Sequence, residues 1–382
     1  MQTTTDSRLG RFILMLAHCA GMVDLVALPV WVGTLVAHRQ LDPQRAGGLV
    51  TLFLIGGVAA CLVFAPRFRR LPARWMATGG FAGAACAFVA AAWTRDFAVL
   101  AACHAIGGLS AGTALSFTHG TIGRSANPHR LFAFVGAALG VFALLFLGLV
   151  PAAVSAHGGA TLFVVFSVVM LVAGAVCALA FPAAAEPLHD ATAHPALTRQ
   201  VVLCIAGICL MALLQAMAMA FAERIGVDHG FGQSAVHGVL LAVGLVNLLP
   251  APLAALLQNR LSAWPVLLCG PVLQAVIVLT MTHSSVFLPY AVATAVLTAV
   301  MLFTHTFVFG LLARLDRSGR AVAATPAMVM AGAAIGPIVG GTLINAWGYT
   351  ALGYLGTVVA LCSLICFAGM RHGDVRHPPV AT

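Results

Sequence analysis

Of 382 residues, 61% are hydrophobic and only 8% charged, with a mean hydropathy of +1.03. Soluble domains carry about 25% charged residues, so this composition excludes a soluble globular fold and indicates an all-α polytopic membrane protein with the lipid bilayer as its solvent. The net charge of +9 comes from arginine alone, there being no lysine. The arginines are scattered through short loops and the ends of the chain rather than gathered in a patch, which excludes a nucleic-acid partner.

A helix rises 1.5 Å per residue, so about 20 apolar residues cross a hydrocarbon core of about 30 Å. Twelve such segments are predicted, at 12–37, 46–66, 75–93, 97–118, 131–155, 159–182, 200–222, 232–257, 264–282, 286–311, 321–345 and 348–370. The polar start, Met1 to Arg11, leads into a segment too long for a signal-peptide core and is expected to be retained. An even number of spans puts both termini on one side. With that side cytoplasmic, 15 arginines are inside and four (Arg39, Arg45, Arg95, Arg224) outside, as the positive-inside rule requires of an inner-membrane protein. Trp75, Trp93, Trp264 and Trp347 fall at segment ends, where amphipathic rings prefer the headgroup layer.

The first segment carries one acid, Asp24, near its midpoint. An ionised carboxylate there is costly unless it faces water or a partner, so Asp24 is the leading candidate for proton coupling and substrate binding. A purely structural tie to a neighbouring helix is the alternative. Trp31 lies seven residues further, on the same face, either to stack on a substrate or to anchor the helix at the interface. The turn after the second segment is densely basic, with Arg67, Arg69, Arg70 and Arg74. In the fourth, His104 sits among Gly107, Gly108 and Gly112, as a proton site or as a neutral ring bonded to a backbone carbonyl.

The polar stretch 183–199, with Glu186, Pro187, Asp190 and Pro195, separates an N-terminal half (1–182) from a C-terminal half (200–382) and is expected to be a cytoplasmic loop. The halves echo each other at an offset near 191: Leu41-Asp42-Pro43-Gln44-Arg45-Ala46-Gly47 is matched by Phe231-Gly232-Gln233-Ser234-Ala235-Val236-His237-Gly238, and Arg69 by Arg260. The seventh segment places Met211, Gln215 and Met219 on one face, Gln215 serving a substrate or a neighbouring helix. Glu223 reads as a solvated boundary residue at the end of that segment, and Asn247 and Gln274 as interhelical ties. The tenth carries a mostly polar stripe, Tyr290, Thr294, Thr298, Met301 and His305. A cavity face ending in a titratable histidine explains the stripe, and so does a packed seam in which each Thr bonds back to its own helix. All ten cysteines lie in apolar segments without CxxC spacing, so neither disulfides nor a thiolate metal site is indicated.

The eleventh segment contains Gly332-Ala333-Ala334-Ile335-Gly336-Pro337-Ile338-Val339-Gly340-Gly341. Gly332, Gly336 and Gly340 share one face and allow close backbone approach to another helix, while Pro337 interrupts the hydrogen-bond ladder. With the six-plus-six plan, the middle loop and the basic second turn, this run resembles the major facilitator superfamily over essentially the whole chain. The turn Ala65-Pro66-Arg67-Phe68-Arg69-Arg70-Leu71-Pro72-Ala73-Arg74 keeps only the basic part of that family's motif. The fifth segment, with Gly136, Gly140, Gly148 and Pro151, departs from the antiporter spacing. The resemblance implies a twelve-helix fold in two halves, a cavity lined by segments one, four, seven and ten, and a midplane substrate site worked by alternating access.

No GxxxxGK[ST] loop is present, so an ion or solute gradient must supply the energy. The expectation is therefore a monomeric, proton-coupled secondary transporter without a cofactor, not an enzyme, in which export is preferred over uptake. With no arginine in the predicted core to meet an anion, neutral, weakly basic or amphipathic small molecules are favoured. Met15, His18 and Met22, with Met211 and Met219 of the seventh segment, raise a second reading, transport of a transition metal or metal chelate. A non-transporting sensor or intramembrane enzyme is the third, and neither HExxH nor GxSxG is present to support the enzyme.

Overall fold

The computed structural model describes residues 3–64, 67–68, 70–183, 198–258, 260–315 and 328–370. Ala65, Pro66 and Arg69 of the basic turn, Glu186, Pro187, Asp190 and Pro195 of the middle stretch, and the start of the eleventh segment (321–327) lie outside these residues. Among the described residues 12 helices are long and apolar enough to cross a membrane. In order they are α1 (Arg8–Arg39), α2 (Pro43–Phe64), α3 (Ala73–Trp93), α4 (Phe97–Ile122), α5 (Arg130–His157), α6 (Ala160–Ala180), α7 (Arg199–Asp228), α8 (Gln233–Leu257), α9 (Ala263–His283), α10 (Phe287–Leu312), α11 (Met328–Trp347) and α12 (Tyr349–Ala368). The chain folds as two compact units, residues 1–190 and 191–382.

Several helices begin at a side-chain cap. The Ser7 hydroxyl accepts from the Gly10 N–H at the start of α1, and the Thr198 hydroxyl from the Val201 N–H at the start of α7. Their backbones nearly coincide, at φ −69°, ψ 152° and φ −68°, ψ 155°. Asp96 and Asn127 cap the starts of α4 and α5 in the same way. At the other ends arginines serve the orphan carbonyls. Arg39 donates to the Ala91, Ala92 and Thr94 oxygens at the end of α3, and Arg74 donates to the Ala178 oxygen at the end of α6.

Among the described residues four helices are interrupted. In α8 the break follows Asn247 and α8 resumes at Pro250; in α11 it falls at Ile335, one residue before the Gly336–Trp347 piece with Pro337 in its first turn. Proline lacks the N–H that would continue the ladder, so these two are legible in the sequence. The other two are not. Helix α1 breaks at Met22 (φ −110°, ψ 12°), between Arg8–Gly21 and Val23–Arg39. Helix α7 breaks at Phe221 (φ −109°, ψ 6°), between Arg199–Ala220 and Ala222–Asp228. The seventh segment thus does not stop at 222: Glu223 and Arg224 lie inside its helix, not in a loop beyond it.

In the first unit the core is aromatic. Trp31, fully buried, lies against Phe166, Phe53, His104 and Phe88 with ring centroids 4.7, 5.1, 5.4 and 5.8 Å away. Close helix approach depends on glycine, since a Cβ on Gly112 of α4 would lie 2.5 Å from the Gly57 Cα of α2. In the second unit the core is aliphatic and thioether-rich: Cys204, Ile208, Met211, Leu267, Met301, Val308 and Phe367 form one buried cluster. Both units expose leucines along their outer faces, among them Leu62, Leu149, Leu179 and Leu256. A bilayer removes the cost of that exposure. Trp75, Trp93 and Trp347 are exposed at helix ends, as interfacial rings should be.

Candidate functional site

The break at Met22 puts Asp24 in the first turn of the second piece of α1. Its side chain is buried, 1% exposed, and Oδ1 has no hydrogen-bond partner. Its surroundings are the backbone N–H of Leu25 and the Cys61 thiol of α2, which itself points at the Gly112 carbonyl of α4, 3.6 Å away. No arginine or histidine is among these contacts, so the carboxyl group has no compensating cation beside it. A carboxylate in that setting must take a proton, water or a cationic ligand.

One face further along α1 is Trp31. Its enclosure by four rings excludes the interfacial-anchor alternative. The indole Nε1 nevertheless lacks a partner, as does Nε2 of His104. The Nδ1 of His104 is 2.7 Å from the Leu100 oxygen, so it carries the hydrogen and leaves Nε2 as the acceptor. A donor and an acceptor, both buried and both unused, therefore share one aromatic box in α1 and α4.

The second unit shows what the tenth-segment stripe does. The Tyr290 hydroxyl donates to the Ala222 oxygen (2.7 Å), seating α10 against the break in α7. Thr294 is fully buried with Oγ1 unpartnered. The Gln215 amide donates to the Thr298 hydroxyl (3.3 Å), joining α7 to α10. Met211 and Met301 sit in the apolar core, and His305 lies over Phe309 with centroids 3.9 Å apart and Nε2 unpartnered. Thr304 and Thr306 bond back to the carbonyls of Val300 and Leu302, the seam behaviour available to any helical threonine.

The glycine face of α11 lies on α7. A Cβ on Gly336 would come within 2.7 Å of the Met217 nitrogen, and one on Gly340 within 2.9 Å of the Phe221 ring, at the break itself. Gly332 approaches the Cys209 carbonyl, and Pro337 is buried beside them in the first turn after the interruption.

Two groupings were not found from the sequence. His18 of α1 and His119 of α4 meet through Nδ1 and Nε2 at 2.9 Å, although they are 101 residues apart. Glu223, read as a solvated boundary residue, is in fact mostly enclosed: its side chain is 14% exposed and Oε2 has no partner. Its burial is a tertiary fact, because the residues that cover it come from α8 and α10. Among the described residues no three His, Cys, Asp or Glu side chains gather as metal ligands, and His18 is engaged with His119 rather than with Met15 and Met22.

The family profile described as Major Facilitator Superfamily matches residues 13–315. The chain belongs to the major facilitator superfamily. Its fold is similar to that of a bacterial homolog to the human lysosomal transporter Spinster, solved in an inward-facing and unoccupied conformation. That match has TM-score 0.72 at 12% identity, covering 97% of this chain and 100% of the other. It is also similar to a D-xylose-proton symporter, with TM-score 0.69 at 13% identity, covering 96% and 99%. No curated protein sequence matches it. At such identities the solved structures show the fold alone, and the residues in the site have to be argued from this chain.

Proposed function

We propose that this major facilitator protein is a proton-coupled secondary transporter of a small neutral, weakly basic or amphipathic organic solute, working by alternating access, with Asp24 as the coupling group. The observation that carries this reading is a buried carboxyl at an unforced helix break, with one oxygen unpartnered and no cation beside it. In the protonated form the group is neutral and can move between states cheaply. Ionised, it favours water or a cationic solute. Proton and solute are thereby coupled through one side chain. The family membership and the likeness to a D-xylose-proton symporter support the same reading. The Trp31–His104 box supplies one buried donor and one buried acceptor without partners, and Gln215, Thr294, Thr298 and His305 supply further polar groups in the second unit. The arginine asymmetry supports an inner-membrane protein with both termini cytoplasmic.

The test is reconstitution in liposomes with an imposed pH gradient, screening radiolabelled neutral and weakly basic solutes for accumulation. The parent should concentrate at least one solute, whereas Asp24→Asn should equilibrate it without concentrating it. Accumulation by Asp24→Asn at the parent level would remove Asp24 from the mechanism.

A further inference from the structure

The construction at Asp24 recurs in the second unit. Met22 and Phe221 occupy almost the same backbone conformation, and each is followed two residues later by an acid, Asp24 or Glu223, with one carboxyl oxygen buried and unpartnered. The depth differs. From the caps at Ser7 and Thr198, the break comes after 22 − 7 = 15 residues in α1 and 221 − 198 = 23 in α7. Eight residues of helix displace the second acid by about 12 Å along its own axis.

Glu223 has a facing group that Asp24 lacks. His237, in the first turns of α8, holds Nε2 at 3.9 Å from Glu223 Oε1, just beyond hydrogen-bond reach, and that nitrogen has no partner of its own. The side chains of His237 and Glu223 are 18% and 14% exposed, so the pair lies close to the surface of its unit. The other ionisable neighbours bond elsewhere, although Arg224 keeps its buried Nε without a partner. Arg224 and Tyr349 of α12 both bond the Asp228 carboxylate, Tyr290 of α10 gives its hydrogen to the Ala222 carbonyl, and His229 directs Nδ1 at the Ile225 oxygen. Helix α11, which packs on the break through Gly340, offers no titratable side chain among its described residues. Among the described residues His237 is the titratable group that faces the Glu223 carboxyl, and Arg224, next to it in the chain, is the fixed positive charge acting on it.

We infer that Glu223 and His237 form a second proton-exchange site, in which a proton passes between the Glu223 carboxyl oxygen and His237 Nε2, directly or through one water. When the carboxylic O–H gives up its proton, imidazole becomes imidazolium beside carboxylate; the reverse transfer restores two neutral groups. Charge is conserved within the pair, and exchange with water at the exposed edge of His237 loads or empties it. The inference deepens the reading of the chain as proton-coupled, adding a site in the second unit to the one at Asp24.

Infrared spectra of the full chain in lipid nanodiscs, stepped through neutral pH, test it without knowledge of the solute. A protonated carboxyl has a carbonyl stretch clear of the amide bands. The parent should show two such titrating bands, Asp24→Asn should lose one, and Glu223→Gln the other. His237→Asn should shift the midpoint of the Glu223 band and leave the Asp24 band in place. If Glu223→Gln does not fold, Glu223→Asp should keep a titrating band at a displaced midpoint, and His237→Asn still decides. A folded Glu223→Gln with the parent titration, or a His237→Asn whose Glu223 midpoint is unmoved, would overturn the pair. Loss of the Glu223 band combined with no change in Asp24→Asn would instead sink the Asp24 reading and leave this one standing.

Discussion

Helices α1 and α7 start with the same hydroxyl cap and break without proline into pieces that begin with a buried acid, yet they are seated differently. The outer piece of α1 runs 17 residues and is gripped by an aromatic box around Trp31. The outer piece of α7 runs only seven and is held by polar ties: Tyr290 to the Ala222 carbonyl, and Arg224 and Tyr349 to Asp228. Apolar contact encloses Asp24 fully, whereas the polar seat leaves Glu223 beside His237 at the edge of water. The same local device thus gives a sequestered acid in one unit and a paired acid in the other. The difference comes from what packs around the break, not from the break.

The comparison can be broken most forcefully at Trp31. Trp31→Ala removes the ring on which Phe53, Phe88, His104 and Phe166 converge, and should cost about 3–5 kcal/mol; a thermal unfolding curve in detergent indistinguishable from the parent would show that α1 is not seated this way. Next comes Gly336→Leu, which drives a side chain into the α7 backbone at Met217. About 1–3 kcal/mol of destabilisation is expected from overpacking, read as a lower melting temperature, and a parent-like melt would mean α11 does not support α7. Ser7→Ala and Thr198→Ala sharpen the likeness: each deletes one cap and should cost about 1 kcal/mol. Because the two caps have the same geometry, the two losses should match, and a clear inequality by denaturant titration would argue against equivalent starts. Gln215→Ala is the mildest change. It deletes the Thr298 contact between α7 and α10 and should cost about 0.6 kcal/mol, the usual worth of an interhelical hydrogen bond in a membrane.

The site was only partly legible in advance. Asp24 declared itself because an acid in the middle of an apolar span has few cheap explanations. Gln215 and Thr298 were each visible as polar residues on cavity-type faces, but their bond to one another depends on the rotation of α7 against α10, which no single-helix periodicity contains. The sequence position of Trp31 is compatible with substrate stacking and with interfacial anchoring, and its aromatic box rules out the anchor. Glu223 was misread because the helix was expected to end at 222, when α7 continues to Asp228 under cover of His237 and Tyr290.

By itself the sequence determined the solvent, the number of spans and the family. Those depend on hydropathy summed over about 20 residues, on arginine placement and on a glycine run, all local quantities that need no partner. It also determined the caps and the proline-linked interruptions, since a hydroxyl or a missing N–H acts within one turn. Tertiary structure alone decided where α1 and α7 break without proline, which polar atoms are left unpartnered, and that His18 meets His119 and Glu223 meets His237. Each of these is a property of two or more helices in contact, and partners such as His18 and His119 lie 101 residues apart in the chain.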